Sequence, residues 1–364
     1  MICNKWFGEP VLTYITYLMN ITFIKYIAIT LIGILTISAA SAQNKIAATI
    51  DSFIQRTNKN GLFNGNVMVV DNGKVIYKKA IGYADTTKTI MLTTQYRFHI
   101  GSIAKEFNAV AIMMLKDQGK LSLDDKVSKF FPELPSWANN ISVKNLLQYT
   151  SGLPEIKWKT VNGDADNWAD LQKIEKLNLE PGTSYNYNNN NTFLQRRIVE
   201  KLSGMSFNEF VVQKMLKPLH MATAVVDPGN DVPLMAKGYN NSLKQDLLAV
   251  PISGWTCLTL DDFYKWELAL QNFKLISRDA TLEILTPFAE GKQCGLGGGT
   301  MEGNKLVYHQ HDGITRNYQA LLTSHSKQGR VIILMTNNKQ NNVFDIKDAL
   351  EAILDGKPYQ ELKK

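Results

Sequence analysis

Ser102 and Lys105 stand three residues apart in the stretch Gly101-Ser102-Ile103-Ala104-Lys105. On a helix that spacing puts a hydroxyl and an ammonium on one face, within reach of each other. A serine hydroxyl is a poor nucleophile at neutral pH and needs a base at hydrogen-bond distance. Lys105, desolvated inside a fold, can share the Ser102 proton. Further along, Tyr187 and Asn189 form a Tyr-x-Asn pair. A phenol projecting into the same cleft beside the Lys105 cation is suited to act as base in acylation and to activate water afterwards. The Asn189 amide offers donors and an acceptor, able to hold both Lys105 and a substrate amide. Backbone N–H groups in the first turn of the Ser102 helix lack helical partners and can bind a developing oxyanion. Together these groups would perform acyl transfer through a covalent serine intermediate. Singly they mean less: Ser-x-x-Lys also describes a helix start with a solvated lysine, and a loop tyrosine can simply pack its ring.

Periodicity indicates the elements that must position these groups. Phe107, Val110, Ala111, Met114 and Leu115 continue a helical apolar stripe to a stop at Gly119, which predicts a buried helix presenting its N-terminus. Ahead of it, Ile46, Ile50, Phe53 and Ile54 mark a short amphipathic helix. A hairpin follows, from Asn66 to Val70, through Asp71-Asn72-Gly73, and back along Lys74 to Ile81. From Leu121 to about Asp231 the pattern is mostly helical and loop-rich. Leu146 to Pro154 ends a helix in a sharp turn punctuated by Gly152 and Pro154, and Pro181 to Asn189 is a turn leading into an asparagine-rich loop. Phe193, Ile198, Val199 and Leu202 then resume helical spacing up to Gly204. The place of the asparagine run, between Pro-Gly-Thr and a helix, argues for more than low complexity. Leu260 to Leu270 reads as a helix carrying Phe263 and Trp266. Gly295 to Gly299 lacks the Gly-Lys-Ser/Thr of a phosphate loop and instead begins a strand whose glycines permit close backbone approach. Val331 to Thr336 is strongly β, and Val343, Ile346, Leu350 and Ile353 form a closing helix. The order is strands, helices, strands: an α+β fold whose antiparallel sheet is interrupted by a helical insertion. The expected division is a sheet-containing part, 43–120 with 240–364, and a helical part, 121–239.

With 364 residues, 45% of them hydrophobic, the chain can bury a full core in one large domain or two intimate ones. The formal charge of +7 is scattered, with no basic block or aromatic-interleaved stripe, so nucleic acid is not an expected partner. No C-x-x-C or H-E-x-x-H occurs, and neither a metal nor another cofactor is expected. Residues 1–42 read as a secretory leader: Lys25, the apolar run Tyr26 to Ile37, and the small-residue site Ala40-Ser41-Ala42, with Met19 as an alternative start. Removing them takes away two lysines and one glutamate and leaves +6. The alternative is a permanent anchor, since residues 11–37 are nearly continuous apolar sequence. Cys257 and Cys294 would remain, either as a disulfide permitted by export or as buried thiols.

In chain order, Ser102-x-x-Lys105, Leu-Leu-x-x-Thr-Ser-Gly-Leu-Pro at 146–154, Tyr187-x-Asn189 and His311-x-Gly313 form a set. It resembles the serine β-lactamase and penicillin-binding protein superfamily in its class C-like branch, which also holds D-alanyl-D-alanine carboxypeptidases, D-aminopeptidases and esterases. The resemblance runs from about residue 45 to 355 and implies a β-lactamase/transpeptidase-like fold. It also implies that His311 orients Tyr187 and substrate, that Gly313 lets its strand approach the cleft, and that the oxyanion hole is the amides of Ser102 and Ile314. His309, by contrast, reads as strand decoration, as do His99, His220 and His325. Arg316 and Asn317 stand where relatives commonly have Pro-Gly. Asn tolerates the left-handed conformation a glycine would supply, and Arg316 is either a surface residue or a fork for a substrate carboxylate.

The function these features imply is an exported, periplasmic or secreted bacterial serine hydrolase. It would act through an acyl-enzyme on a D-amino acid peptide or related amide or ester of the cell wall. A β-lactamase or carboxylesterase of the same fold is the nearest alternative, because a β-lactam mimics acyl-D-Ala-D-Ala. A non-catalytic penicillin-recognising or cell-wall-binding protein is the alternative of another class. A membrane enters only if the leader is uncleaved.

Overall fold

Continuous apolar runs such as Val67-Met-Val-Val70 form central strands because both of their faces have side chains to bury. In the computed structural model, which describes residues 43–229, 231–247 and 250–363, such runs form a six-stranded antiparallel sheet in the order β2-β1-β9-β8-β7-β6. Its strands are β1 Gly65–Asp71, β2 Lys74–Ile81, β6 Gly298–Glu302, β7 Lys305–Thr315, β8 Tyr318–His325 and β9 Arg330–Thr336. The β1–β2 hairpin closes on Asn72 and Gly73, both with positive φ, the two-residue turn whose twist matches the strands. A second sheet joins three short strands, β3 Phe98–His99, β5 Thr256–Leu258 and β4 Val225–Val226, in the order β3-β5-β4.

The chain divides into residues 1–52 and residues 53–364. In the first unit, residues 43–52 are helical; the expected leader, 1–42, lies outside the described residues. Everything that follows belongs to the second unit. Among the described residues no helix is long and apolar enough to cross a membrane.

The helix after Ser102 begins tighter than its stripe implies: a 3₁₀ turn, Gly101–Ala104, leads into α1, Lys105–Asp117. Its residues from Lys105 to Met113 are all buried, so α1 is the central post of the core rather than a one-faced surface helix. It stops in a two-bond glycine cap. Gly119, at φ +71, donates to Lys116 O, and Lys120 donates to Leu115 O. Four further helices matter to the site: α2 Val143–Leu147, α3 Asn189–Ser203, α4 Leu260–Gln271 and α5 Arg278–Leu285. α1 is packed against α3, and the Phe107 ring stacks on Trp266 of α4 with centroids 3.9 Å apart.

Candidate active site

The 3₁₀ turn keeps Ser102 and Lys105 on one side, and Lys105 Nζ donates to Ser102 Oγ at 3.1 Å. Lys105 is 4% exposed. No carboxylate pairs with it among the described residues. Its ammonium lies instead 5.1 Å from the ring centroid of Tyr187 and 5.1 Å from that of Trp255. Two aromatic faces can hold a desolvated cation without taking its proton.

The small sheet brings Trp255 there. His99 pairs with Cys257, and Ile100 N–H donates to Thr256 O, so the residue before β5 is carried to the Ser102 turn. His99 is buried and accepts the Gly101 N–H on Nδ1. Burial, with the Arg316 and Lys105 charges, lowers its pKa to about 3, so it stays a neutral acceptor. His99 is therefore a support of the Ser102 turn and not strand decoration.

β7 presses on the same turn. A Cβ on Gly313 would stand 2.0 Å from Ile100 O and 2.7 Å from Ser102 N, and one on Gly101 would stand 2.5 Å from Ile314 N. Only glycines permit this approach, which brings the Ser102 and Ile314 amides to one corner.

The structure places three groups otherwise than the motifs imply. Tyr187 meets Lys105 with its ring face, and its enclosed hydroxyl has no hydrogen-bond partner among the described residues. Packing against Tyr149, at 4.6 Å between centroids, sets that ring. Asn189 does not hold Lys105: its backbone N–H and Nδ2 both donate to the Glu155 carboxylate. His311 does not orient Tyr187: its Nδ1 lies 2.7 Å from Glu106 Oε1.

Glu106, next to Lys105 in α1, also accepts from Trp266 Nε1 at 2.6 Å and lies 3.3 Å from His309 Nε2. His309 in turn meets Glu267 at 2.7 Å and is fully buried, which corrects its reading as decoration. Burial favours a neutral Glu106, but the His309 charge and the hydrogen bonds of both imidazoles prevail and hold it near 2. Burial likewise opposes a charged His309, and the Glu267 and Glu106 carboxylates raise its pKa well above 6.5. The charged pair locks β7 to α1 and α4.

The asparagine run has a comparable task on the other wall. Asn188 caps α3 by accepting the Asn191 N–H and donates to Leu153 O, while Asn190 donates to Pro154 O. With Asn189 on Glu155, three consecutive residues bind three consecutive residues of the segment after α2. That segment also receives the Asn186 N–H on Tyr149 O and the Gly182 N–H on Thr150 O, which fixes the loop carrying Tyr187.

The remaining expectations resolve simply. Positive φ falls on Arg316, not Asn317, whose backbone and side chain both bind Asp246. Arg316 is exposed and donates to Leu247 O. Cys257 and Cys294 are free and buried. Gly297, at φ +69, lies against the His311 ring, where a Cβ would come within 2.5 Å. Trp255, Glu106 and Glu155 carry no motif of their own, and sequence reasoning missed all three.

Comparison with known proteins bears on the family and the fold. A family described as Beta-lactamase matches residues 46–357. A protein named for penicillin binding, PbpX of Bacillus subtilis (strain 168), is 29% identical over 289 residues, covering 77% of this chain and 72% of its own. The structure of a penicillin binding protein from Bacillus halodurans superposes with a TM-score of 0.73 at 22% identity, over 84% of this chain and 98% of that one. A class C beta-lactamase gives 0.71 at 22%, over 87% and 97%. At these identities the two structural likenesses are likenesses of fold.

Proposed function

The chain belongs to the beta-lactamase family, and from that premise we propose that it is an exported serine hydrolase working through an acyl-enzyme on Ser102. Its substrates are D-amino acid peptides or related amides and esters of the cell wall. The observation that carries the reading is the 3.1 Å contact between Ser102 Oγ and Lys105 Nζ, which two aromatic rings enclose and which no carboxylate among the described residues pairs with. A lysine so placed serves the serine rather than an ion pair.

In the reaction, Lys105 in its amine form takes the Ser102 proton as Oγ attacks the carbonyl carbon. The carbonyl oxygen, now negative, is held by the N–H groups of Ser102 and Ile314. Collapse breaks the bond to the leaving amine or alcohol, which takes up the proton. Water then attacks the Ser102 ester, the bond from Oγ to the acyl carbon breaks to release the acid, and a proton of the water returns to Ser102 Oγ, with the Tyr187 hydroxyl, which has no partner among the described residues, as the group available to relay it. The leader pattern in residues 1–42 supports export.

One observation favours the non-catalytic alternative: Lys105 lies over the Tyr187 ring, and among the described residues the Tyr187 hydroxyl makes no hydrogen bond to it. Intact-mass spectrometry of the purified protein with a fluorophosphonate and with a fluorescent penicillin, beside Ser102→Ala, separates the two. A single adduct that disappears in the variant is expected. The probe that labels distinguishes esterase from penicillin-directed chemistry, and no adduct with either would make this a binding protein.

A further inference from the structure

Asn189, Thr192 and Arg196 lie on one face of α3 and form a wall of a narrow cleft, opposite Lys105 and Asn108 of α1, with Trp158 on its outer side. Lys105 and Arg196 line this one cleft, Lys105 beside the Trp255 ring and Arg196 against the neighbouring Gly254.

Arg196 is 3% exposed, yet among the described residues it makes no hydrogen bond, and its Nε is fully enclosed. Burial lowers its pKa to about 10 although Asp164 and Asp227 lie near enough to favour the cation. Neither carboxylate binds it. Asp164 accepts from Arg197 and from the backbone and hydroxyl of Ser253. Asp227 accepts from Asn208 and from the amides of Gly254 and Trp255. Gly254, at φ +96, makes the room: a Cβ there would stand 2.4 Å from Arg196 Nη1. Arg196 Nε, one donor of that fixed fork, is buried and unmatched, which is costly unless a ligand supplies acceptors. Asn108 Oδ1, lining the same cleft, is buried without a donor and can accept an N–H of that ligand.

We propose that Arg196 forms an anion subsite of the active-site cleft and binds a carboxylate carried by the substrate. This rests on the serine-hydrolase reading and narrows it to anionic substrates. Arg196, not the exposed Arg316, is the fork for that carboxylate, and Trp158, 38% exposed, is the side chain that must swing aside to admit it.

The test compares p-nitrophenyl half-esters of adipic and suberic acid with the hexanoate and octanoate esters, using the full chain as wild type, Arg196→Met and Arg196→Lys. Wild type is expected to favour a half-ester by about tenfold or more in kcat/KM, and the preference to collapse in Arg196→Met through KM. Arg196→Lys should retain part of it, since an ammonium keeps the charge but not the fork. A wild type without the preference overturns the proposal even if Arg196→Met fails to fold. If free suberate nonetheless inhibits that wild type, the site takes a small anion and the substrate assignment is overturned. A preference that survives in folded Arg196→Met overturns it as well. Failure of fluorophosphonate to label Ser102 removes the hydrolase reading instead. Calorimetry with suberate then still decides the subsite: binding lost in Arg196→Met supports it, and no binding to wild type overturns it.

Discussion

The helical wall of the cleft, residues 149–155 against the start of α3, is joined by neutral amides and backbone carbonyls, whereas the strand wall, β7 against α1 and α4, is joined by buried charges. On the first, Asn188 and Asn190 reach Leu153 O and Pro154 O, and only the outermost bond, Asn189 to Glu155, involves an ionised group at an exposed position. On the second, Glu106, His309 and Glu267 are all 0% exposed. Neutral bonds to carbonyls are individually modest and independent of pH. Buried charges are strong only while every partner is present and correctly protonated. One wall should thus lose strength bond by bond, the other as a unit.

The largest expected effect breaks the charged wall. Glu106→Ala strands His311, Trp266 Nε1 and part of the His309 charge, and should cost about 3–5 kcal/mol in urea unfolding. A cost below about 1 kcal/mol would mean that the network is not what joins β7 to α1. Gly313→Ala comes next. Its methyl would meet Ile100 O and Ser102 N, and the displaced amides should slow Ser102 labelling about 100-fold, equivalent to about 3 kcal/mol at the transition state. Labelling at the wild-type rate would remove β7 from the oxyanion corner.

The pH dependence separates the walls further. Glu106, held near 2, stabilises the fold above the ordinary carboxylate range and loses that contribution as pH falls from about 4.5 toward 2. His309 is raised, so its contribution is complete below about 6.5 and is lost as pH rises through its folded value. His99, lowered to about 3, is buried neutral, so the unfolded chain binds the extra proton and stability falls as pH drops below about 6.5. In that window His99 alone should cost about 1.4 kcal/mol per pH unit. His99→Gln, which keeps an acceptor for Gly101 N–H, should flatten the slope; urea midpoints between neutral pH and the onset of acid unfolding would reveal an unchanged one.

The smallest effect belongs to the helical wall. Asn188→Ala removes the α3 cap and the Leu153 bond and should cost about 1–2 kcal/mol, equally at mildly acid and neutral pH. A cost that varied with pH would show that the two walls are not chemically distinct.

Much of this was legible in the chain. The Ser102–Lys105 pair depends on a three-residue spacing that a 3₁₀ turn and an α-helix both honour, and the Asn72-Gly73 turn on conformations few other residues adopt. The asparagine run was conspicuous, but its targets were not, because a side-chain amide binds any carbonyl the fold brings near. The groups missed altogether are those whose partners lie far away in sequence. Glu106 meets Trp266 across 160 positions and His311 across 205, and nothing in a glutamate after a lysine distinguishes a buried hub from a solvated charge. Arg196 likewise sits in Gln-Arg-Arg-Ile, where either arginine could face water.

The sequence alone determined the Ser102–Lys105 spacing, the glycines that admit β7 and the order of strands and helices, since each rests on local spacing or backbone permission. Only the tertiary structure decided what surrounds them: Trp255 over Lys105, the ring rather than the hydroxyl of Tyr187 toward the ammonium, Asn189 on Glu155, His311 on Glu106, and a guanidinium at the end of the cleft. Burial is the reason. It turns an ordinary glutamate into a held anion and an ordinary arginine into an unmatched donor, and burial is a property of the packed chain.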